Sequence, residues 1–206
     1  MRKERLGELI ANTISHGIGV IIGISALTIL TIHAQETREY IGAIVFGISL
    51  ILLYTASTLY HAFPHSMKRV MAVFKRMDHS AIYILIAGTY TPFIIILTPT
   101  NTGYTLLFLL WVIAAVGITM KSIWVDRYMP VHLVIYVLMG WSILSIWQDV
   151  RSFIPENALP FLLLGGVSYT AGVLFYISRF MYAHFVWHIF VLAGSLFHIV
   201  SVYYIL

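Results

Sequence analysis

The sequence contains no cysteine and few charged residues, and each shortage excludes a class of protein. Without cysteine among 206 residues, no disulfide or thiolate ligand is possible, so any transition metal must bind histidine, carboxylate and water. Only 10% of the residues are charged and 60% are hydrophobic, whereas about a quarter of a soluble domain is charged. The mean hydropathy of +0.92 therefore predicts an integral membrane protein.

The net charge of +4 does not indicate a nucleic-acid partner. The lysines and arginines lie in loops, and they form no basic face interleaved with aromatic residues. Residues 1–5 resemble the basic start of a signal peptide. The apolar run that follows them is too long for one, so we expect it to remain as the first span.

Apolar runs of membrane-spanning length recur seven times, separated by short charged or turn-rich stretches. They predict an all-α fold, a bundle of seven transmembrane helices forming a single domain over residues 1–206. The predicted spans are 9–32, 41–63, 79–97, 104–120, 131–147, 161–178 and 184–206.

Basic residues predict how the bundle is oriented, because cytoplasmic loops retain lysine and arginine. Ten of them fall in one set of loops if the N-terminus is cytoplasmic: Arg2, Lys3, Arg5, Lys68, Arg69, Lys75, Arg76, Lys121, Arg127 and Arg179. Two, Arg38 and Arg151, fall on the other side. We therefore expect a cytoplasmic N-terminus and an external C-terminus.

Two local features of the spans have structural interpretations. Gly19 and Gly23 form a pair of small residues one turn apart, typical of close helix packing and, less often, of helix dimers. Thr91-Pro92 interrupts the third span, and we expect a kink there whose freed carbonyl is satisfied by neighbouring groups.

Ionisable and polar side chains inside the predicted spans gather at one end, the cytoplasmic end in this orientation. Such groups are costly in a membrane and indicate function. The first span carries Glu8, Asn12 and His16 at intervals of four residues, the second Ser57 and His61, the third Asp78 and His79, and the seventh His184 and His188. Interfacial residues should occur equally at both ends, so this asymmetry favours a metal site.

His184 and His188 lie on one face of a helix, about 6 Å apart along its axis. Two imidazoles so placed are half of a zinc site, although histidines at the wet end of a span are often only interfacial. His61 is the third candidate ligand. A catalytic zinc site uses three protein ligands and leaves the fourth position to water.

Asp78 and Ser57 are the candidate catalytic residues. Asp78 is either a fourth ligand or, as we favour, a carboxylate that orients or deprotonates the bound water. Ser57, one turn from His61, is placed to donate a hydrogen bond to that water or to an oxyanion, unless its hydroxyl bonds to its own helix.

The other polar residues have weaker interpretations. Glu8 and Asn12 either cap the site through hydrogen bonds or mark a helix entrance. His16 and His198 lie deeper, where they form a buried pair or line a cavity. His65, His79 and His132 flank predicted loops and are expected to be interfacial.

Four segments together resemble the bacterial haemolysin III proteins, members of the progestin and adipoQ receptor family that includes the adiponectin receptors. The segments are Glu8-Leu-Ile-Ala-Asn12-Thr-Ile-Ser-His16, Ser57-Thr-Leu-Tyr-His61, Asp78-His-Ser-Ala-Ile-Tyr-Ile-Leu-Ile-Ala-Gly-Thr-Tyr-Thr-Pro92, and His184-Phe-Val-Trp-His188 followed by Leu-Ala-Gly-Ser-Leu-Phe-His198. They occur in the family's order over nearly the whole chain.

The resemblance implies a seven-helix protein of the bacterial plasma membrane with zinc near the cytoplasmic face. The family's three zinc histidines correspond to His61, His184 and His188, and its serine and aspartate to Ser57 and Asp78. This pattern groups the family with alkaline ceramidases in a proposed superfamily of membrane hydrolases. The chain lacks the long N-terminal region of the animal receptors, so hormone reception is not implied.

Three functions remain as hypotheses. The first is a zinc-dependent hydrolase of a lipid amide or ester, with a membrane lipid as substrate or ligand. The second is a non-enzymatic membrane sensor or lipid-homeostasis protein with structural zinc. The third, a pore-forming cytolysin, follows from the family name alone.

Overall fold

The computed structural model describes residues 5–64 and 66–206, which form eight α-helices joined by short loops. In chain order they are α1 (Leu6–His33), α2 (Thr37–Ala62), α3 (Lys68–Pro92), α4 (Asn101–Ile123), α5 (Met129–Trp141), α6 (Trp147–Phe153), α7 (Leu159–Tyr176) and α8 (Ala183–Tyr203). A π-helix, Phe93–Leu97, extends α3, and a 3-10 helix, Ser142–Ile146, joins α5 to α6.

Seven segments of the described chain are long and apolar enough to cross a membrane. Six of them contain one α-helix each, and α5, the 3-10 helix and α6 together form the other, Met129–Phe153. The predicted all-α class with seven spans is confirmed. Neighbouring spans pack side by side, most closely α1 with α2, α2 with α3, and α7 with α8, while α1 also packs on α8.

Gly19 and Gly23 bring α1 against α2. A Cβ atom on Gly19 would lie 2.4 Å from the Tyr54 ring, and one on Gly23 would lie 3.2 Å from the Ile51 side chain. Both glycines are buried within the bundle. The pair therefore serves close packing between two helices of the same chain, which is the commoner of its two interpretations.

Two spans depart from regular α-helix in the half of the bundle beyond Gly88. Pro92 ends α3, and the chain continues as the π-helix, where the predicted interruption lies. In the fifth span, the Tyr90 hydroxyl donates to the Gly140 carbonyl at 2.9 Å and accepts from the Ile143 amide at 2.8 Å. A tyrosine of α3 thus satisfies the backbone groups at the change from α5 to the 3-10 helix, which the sequence pattern did not predict.

The interfacial placement predicted for His79 and His132 is wrong, because both side chains are buried. Helix α3 begins at Lys68, not at residue 79, so His79 lies three turns inside the helix, where its Nδ1 contacts the Lys75 carbonyl at 2.8 Å. His132 Nδ1 is 2.6 Å from the Tyr83 hydroxyl of α3. His65 lies outside the described residues.

Basic residues gather at the end of the bundle where α1, α3 and α8 begin, called here the histidine end because His61, His184 and His188 lie there. Two of them join α3 to the end of α4 and the loop after it: Lys75 pairs with Asp126, and Arg76 Nε donates to the Ser122 carbonyl at 2.9 Å. The residues at this end are Arg5, Lys68, Arg69, Lys75, Arg76, Lys121, Arg127 and Arg179, and those at the opposite end are Arg38 and Arg151.

On the positive-inside rule we expect the histidine end to face the cytoplasm. Alkaline phosphatase needs disulfides and is active only outside the cytoplasm, so a fusion after Leu206 should be active and one after Ile123 inactive. Reporter activity in whole cells measures this directly. The reverse pattern would contradict the orientation, and equal expression of both fusions is the necessary control.

Candidate metal centre

Three imidazoles meet at the histidine end. His61 lies in the last turn of α2, and His184 and His188 lie in the first two turns of α8. One ring nitrogen from each can be chosen so that all three lie within 4.8 Å of one another, and the ring centroids are 4.8 to 5.1 Å apart. His61 and His188 are buried, and His184 is partly exposed. The structure therefore brings together the three residues predicted as ligands.

Glu8 fixes the start of α8, the helix that carries two of these histidines. Its Oε1 accepts a hydrogen bond from the Tyr182 amide at 2.8 Å, and its Oε2 accepts one from the Arg5 amide at 2.9 Å. Both are amides at helix starts, which have no partner within their own helix. Glu8 thus accepts a hydrogen bond at the start of α1, as a carboxylate at a helix entrance does, and also joins that start to the start of α8, the helix on which His184 lies.

A serine on α1 fixes the orientation and the hydrogen position of His188. The Ser15 hydroxyl donates to the Asn12 carbonyl at 2.9 Å and lies 3.1 Å from His188 Nδ1. Because a hydroxyl has one hydrogen, Ser15 must accept from Nδ1–H. The other ring nitrogen, Nε2, then carries the free electron pair, and such a contact to the non-ligating nitrogen is typical of metal-binding histidines.

His16 supports the same ring from its flat side. The two imidazoles stack with their centroids 3.5 Å apart and their planes 9° apart, and the Tyr54 ring meets His16 edge-on at 5.1 Å. Both nitrogens of His16 are buried without a hydrogen-bond partner among the residues described. His188 is therefore held on two sides by α1, by Ser15 at its edge and by His16 on its face.

Asp78 and Ser57 line the same cavity as His184 and His188. The Asp78 side chain is 15% exposed, and its Oδ2 lies 3.6 Å from His79 Nδ1. Ser57 is 1% exposed. The hydroxyl of the neighbouring Thr58 donates to its own helix, to the Tyr54 carbonyl at 2.7 Å.

The cavity extends from His184 and His188 into the interior between α3, α5, α7 and α8. Its volume is about 130 Å³. Most of its wall is apolar or aromatic, including Leu85, Leu133, Val137 and Val191. At its far end lies His198, so His16 and His198 both line the cavity, one of the two alternatives predicted for them.

The donor set fits a zinc ion. Zinc binds imidazole nitrogen at about 2.0–2.1 Å, which in tetrahedral geometry puts two ligand nitrogens about 3.3 Å apart. Nitrogens within 4.8 Å of one another reach that spacing by small side-chain rotations. Three imidazoles also suit other first-row metals. The geometry therefore supports a metal site of three histidines without choosing the metal.

A sequence model described as Haemolysin-III related matches residues 7–199. The chain belongs to the haemolysin III family. It is 41% identical over 192 residues to hemolysin-3 of Bacillus cereus, covering 91% of this chain and 87% of that protein. The hemolysin-3 homolog of Bacillus subtilis (strain 168) is 39% identical over 192 residues, covering 91% and 89%. The human monocyte to macrophage differentiation factor is 26% identical over 201 residues, covering 95% and 83%.

The haemolysin III match includes every residue of the candidate centre, and it confirms the family expected from the four segments. Ser15 has a role that the sequence analysis missed. It lies within the first of those segments, three residues after Asn12 and next to His16. Its hydroxyl lies on the polar face of α1, which the sequence does indicate. Spacing along α1 does not show, however, that this hydroxyl contacts a histidine ring on another helix.

We expect the purified protein to contain one metal ion and His61→Ala to lose it, because two imidazoles remain. Ser15→Ala should still bind metal but release it to a chelator about 10 to 100 times more readily, the usual effect of removing a hydrogen bond to a ligating histidine. Metal content after dialysis against graded chelator measures both effects.

Thr13→Val is the matched control, since it removes a hydroxyl of α1 that bonds only its own helix, to the Leu9 carbonyl at 2.8 Å. A wild-type protein without metal would contradict the site. Equal metal retention by Ser15→Ala and Thr13→Val would contradict the role of Ser15.

Proposed function

We propose that the protein is a zinc-dependent hydrolase of a lipid amide or ester in the bacterial plasma membrane, acting near its cytoplasmic face. The observation that carries the proposal is that His184 and His188, which lie close to His61, line an apolar cavity that Asp78 and Ser57 also line. A purely structural metal site has no need of such a cavity. The position near the cytoplasmic face rests on the basic residues of the histidine end.

Zinc bound there would act as a Lewis acid and would lower the pKa of its water to about 7. The protein's own residues supply the rest. Asp78 accepts the proton of the attacking water and passes it to the leaving group. Ser57 donates a hydrogen bond to the carbonyl oxygen as negative charge develops on it. Ser15 contacts Nδ1 of His188 and so leaves Nε2 as the nitrogen that can bind the metal.

The cavity holds the lipid chain. Burial of each methylene group contributes about 0.8 kcal/mol, so a chain lying along Leu85, Leu133 and Val137 binds through its apolar length. The scissile group then lies at the histidine end, beside Asp78. Walls without bulk water also strengthen the contacts of Asp78 and Ser57 with the reacting group.

Asp78→Asn should reduce turnover by about 10²- to 10⁴-fold, the usual contribution of a general base. The assay incubates metal-loaded protein with panels of ceramides and phospholipids and detects released fatty acid by mass spectrometry. Asp126→Asn is the matched control, because Asp126 lies at the same end with a side chain 60% exposed. Absence of turnover on every lipid, or equal rates for Asp78→Asn and wild type, would contradict the hydrolase.

A second candidate is a membrane sensor or lipid-homeostasis protein in which the metal is structural. It is favoured by the way the three histidines join α2 to α8, two helices without extensive backbone packing. Here Asp78 completes a closed metal shell, and no water is bound. X-ray absorption that shows four protein ligands, with no lipid hydrolysis and a lower Tm for His184→Ala, would favour this candidate over the hydrolase.

A further inference from the structure

His198 lies far from the three histidines on the same helix. It lies ten positions after His188, which at 1.5 Å per residue places it about 15 Å further along α8. Its side chain is 8% exposed. It lines the cavity described above and also a smaller adjoining cavity of about 30 Å³ between Phe93, Ile143 and Leu162. It therefore lies where the two cavities adjoin, about 15 Å from the histidine end.

The hydrogen position on His198 is fixed by a backbone contact. Its Nε2 lies 3.2 Å from the Leu162 carbonyl, and a carbonyl oxygen only accepts, so Nε2 carries the hydrogen. A ring buried in apolar surroundings is neutral because the charged form is poorly solvated. Nδ1 is then a bare acceptor.

Nδ1 has no partner in the described parts of the chain, although it is buried. Buried polar atoms normally have one, and an orphaned acceptor calls for an explanation. The nearest aromatic neighbours supply none: the ring centroids of Tyr169 and Phe93 lie 5.5 and 6.4 Å away, and the Tyr169 hydroxyl already bonds Ser195 at 2.8 Å.

The other polar groups at this depth are satisfied within the protein. Tyr90 bonds the backbone at Gly140 and Ile143, and Trp141 Nε1 donates to the Thr170 hydroxyl at 2.9 Å. Because their polar atoms are hydrogen-bonded, these side chains present apolar parts to the cavity. His198 differs from them because its Nδ1 acceptor has no hydrogen-bond partner among the described residues.

Gly165 makes the position of this imidazole possible. A Cβ atom on Gly165 would lie 2.2 Å from Cδ2 and Nε2 of His198, so any other residue would displace the ring. The glycine holds the Nε2 edge of the ring against α7, and Nδ1 lies on the edge away from Leu162. The far end of the cavity thus has a fixed acceptor rather than a mobile side chain.

We propose that the cavity selects lipids whose chain carries a hydroxyl about 15 Å from the group held at the histidine end, and that His198 Nδ1 accepts a hydrogen bond from that hydroxyl. The proposal names the substrate class of the proposed hydrolase. It rests on that proposed function in one respect, that the head group of the lipid binds at the histidine end. The test measures binding alone, so its result does not depend on whether the protein hydrolyses lipids.

Ricinoleate and oleate form a matched pair of probes, because they differ by one hydroxyl past the middle of the chain. We expect ricinoleate to bind wild-type protein about fivefold more tightly, the factor given by one net hydrogen bond of about 1 kcal/mol. The methyl ether of that hydroxyl accepts but cannot donate, so it should bind no better than oleate. Native mass spectrometry of the detergent-solubilised protein measures the three affinities.

His198→Phe keeps a ring of similar size and removes the acceptor, so the ratio of the two affinities should fall to about one. If His198 is only structural, both affinities fall together and the ratio is unchanged. Ser201→Ala is the control, since Ser201 is buried on the same helix and its hydroxyl bonds the Ala158 carbonyl at 2.9 Å. The control should keep the preference.

Three results would overturn the proposal. Equal binding of ricinoleate and oleate by wild-type protein would mean that the hydroxyl is not recognised. Equal binding of ricinoleate and its ether would mean that the hydroxyl does not donate to Nδ1. Binding of neither acid would mean that the cavity does not take such chains. All three results are measured on the wild-type protein, so the proposal can be contradicted even if His198→Phe does not fold.

Discussion

Polar atoms in the interior of a membrane protein must find partners within the protein, because no water replaces them. This constraint governs both ends of the bundle. At the histidine end, Glu8 takes the amide of Tyr182 and Ser15 takes the Nδ1 hydrogen of His188. Beyond Gly88, the Tyr90 hydroxyl satisfies the backbone groups at the break in the fifth span. The places where the bundle is irregular or polar are therefore the places where helices are joined by specific hydrogen bonds.

Against that background the unsatisfied nitrogens are informative. Among the described residues, His16 and His198 have ring nitrogens without a hydrogen-bond partner, in a region where an unpaired polar group costs about 1–3 kcal/mol. Both residues line the cavity. Two side chains that lower the free energy of unfolding thus lie beside the space that a lipid would fill. A ligand that forms hydrogen bonds with them would offset part of that cost. This links the stability of the bundle to the chemistry of what it binds.

Much of the architecture followed from the sequence because apolar runs of sufficient length have few alternatives in a bilayer. The assembly of His61, His184 and His188 was also predictable, since helix periodicity and the order of the spans placed them at one end. The burial of His79 was not, because polar residues at the start of α3 concealed three turns of helix. The burial of His132 was not, because it depends on a contact with Tyr83 of another helix. The roles of Ser15, Gly165 and Tyr90 depend on contacts between helices, and spacing along one helix does not define them.

The Glu8 carboxylate joins the first helix of the described chain to the start of the last. Ser15 and His16 of α1 likewise contact a histidine of α8, about 170 residues later in the sequence. During synthesis α1 enters the membrane long before α8 is made, and until then Glu8, Ser15 and His16 lack their contacts with α8. The centre is thus completed only when α8 inserts, so a metal ion bound by all three histidines would distinguish molecules in which α8 is in place from those in which it is not.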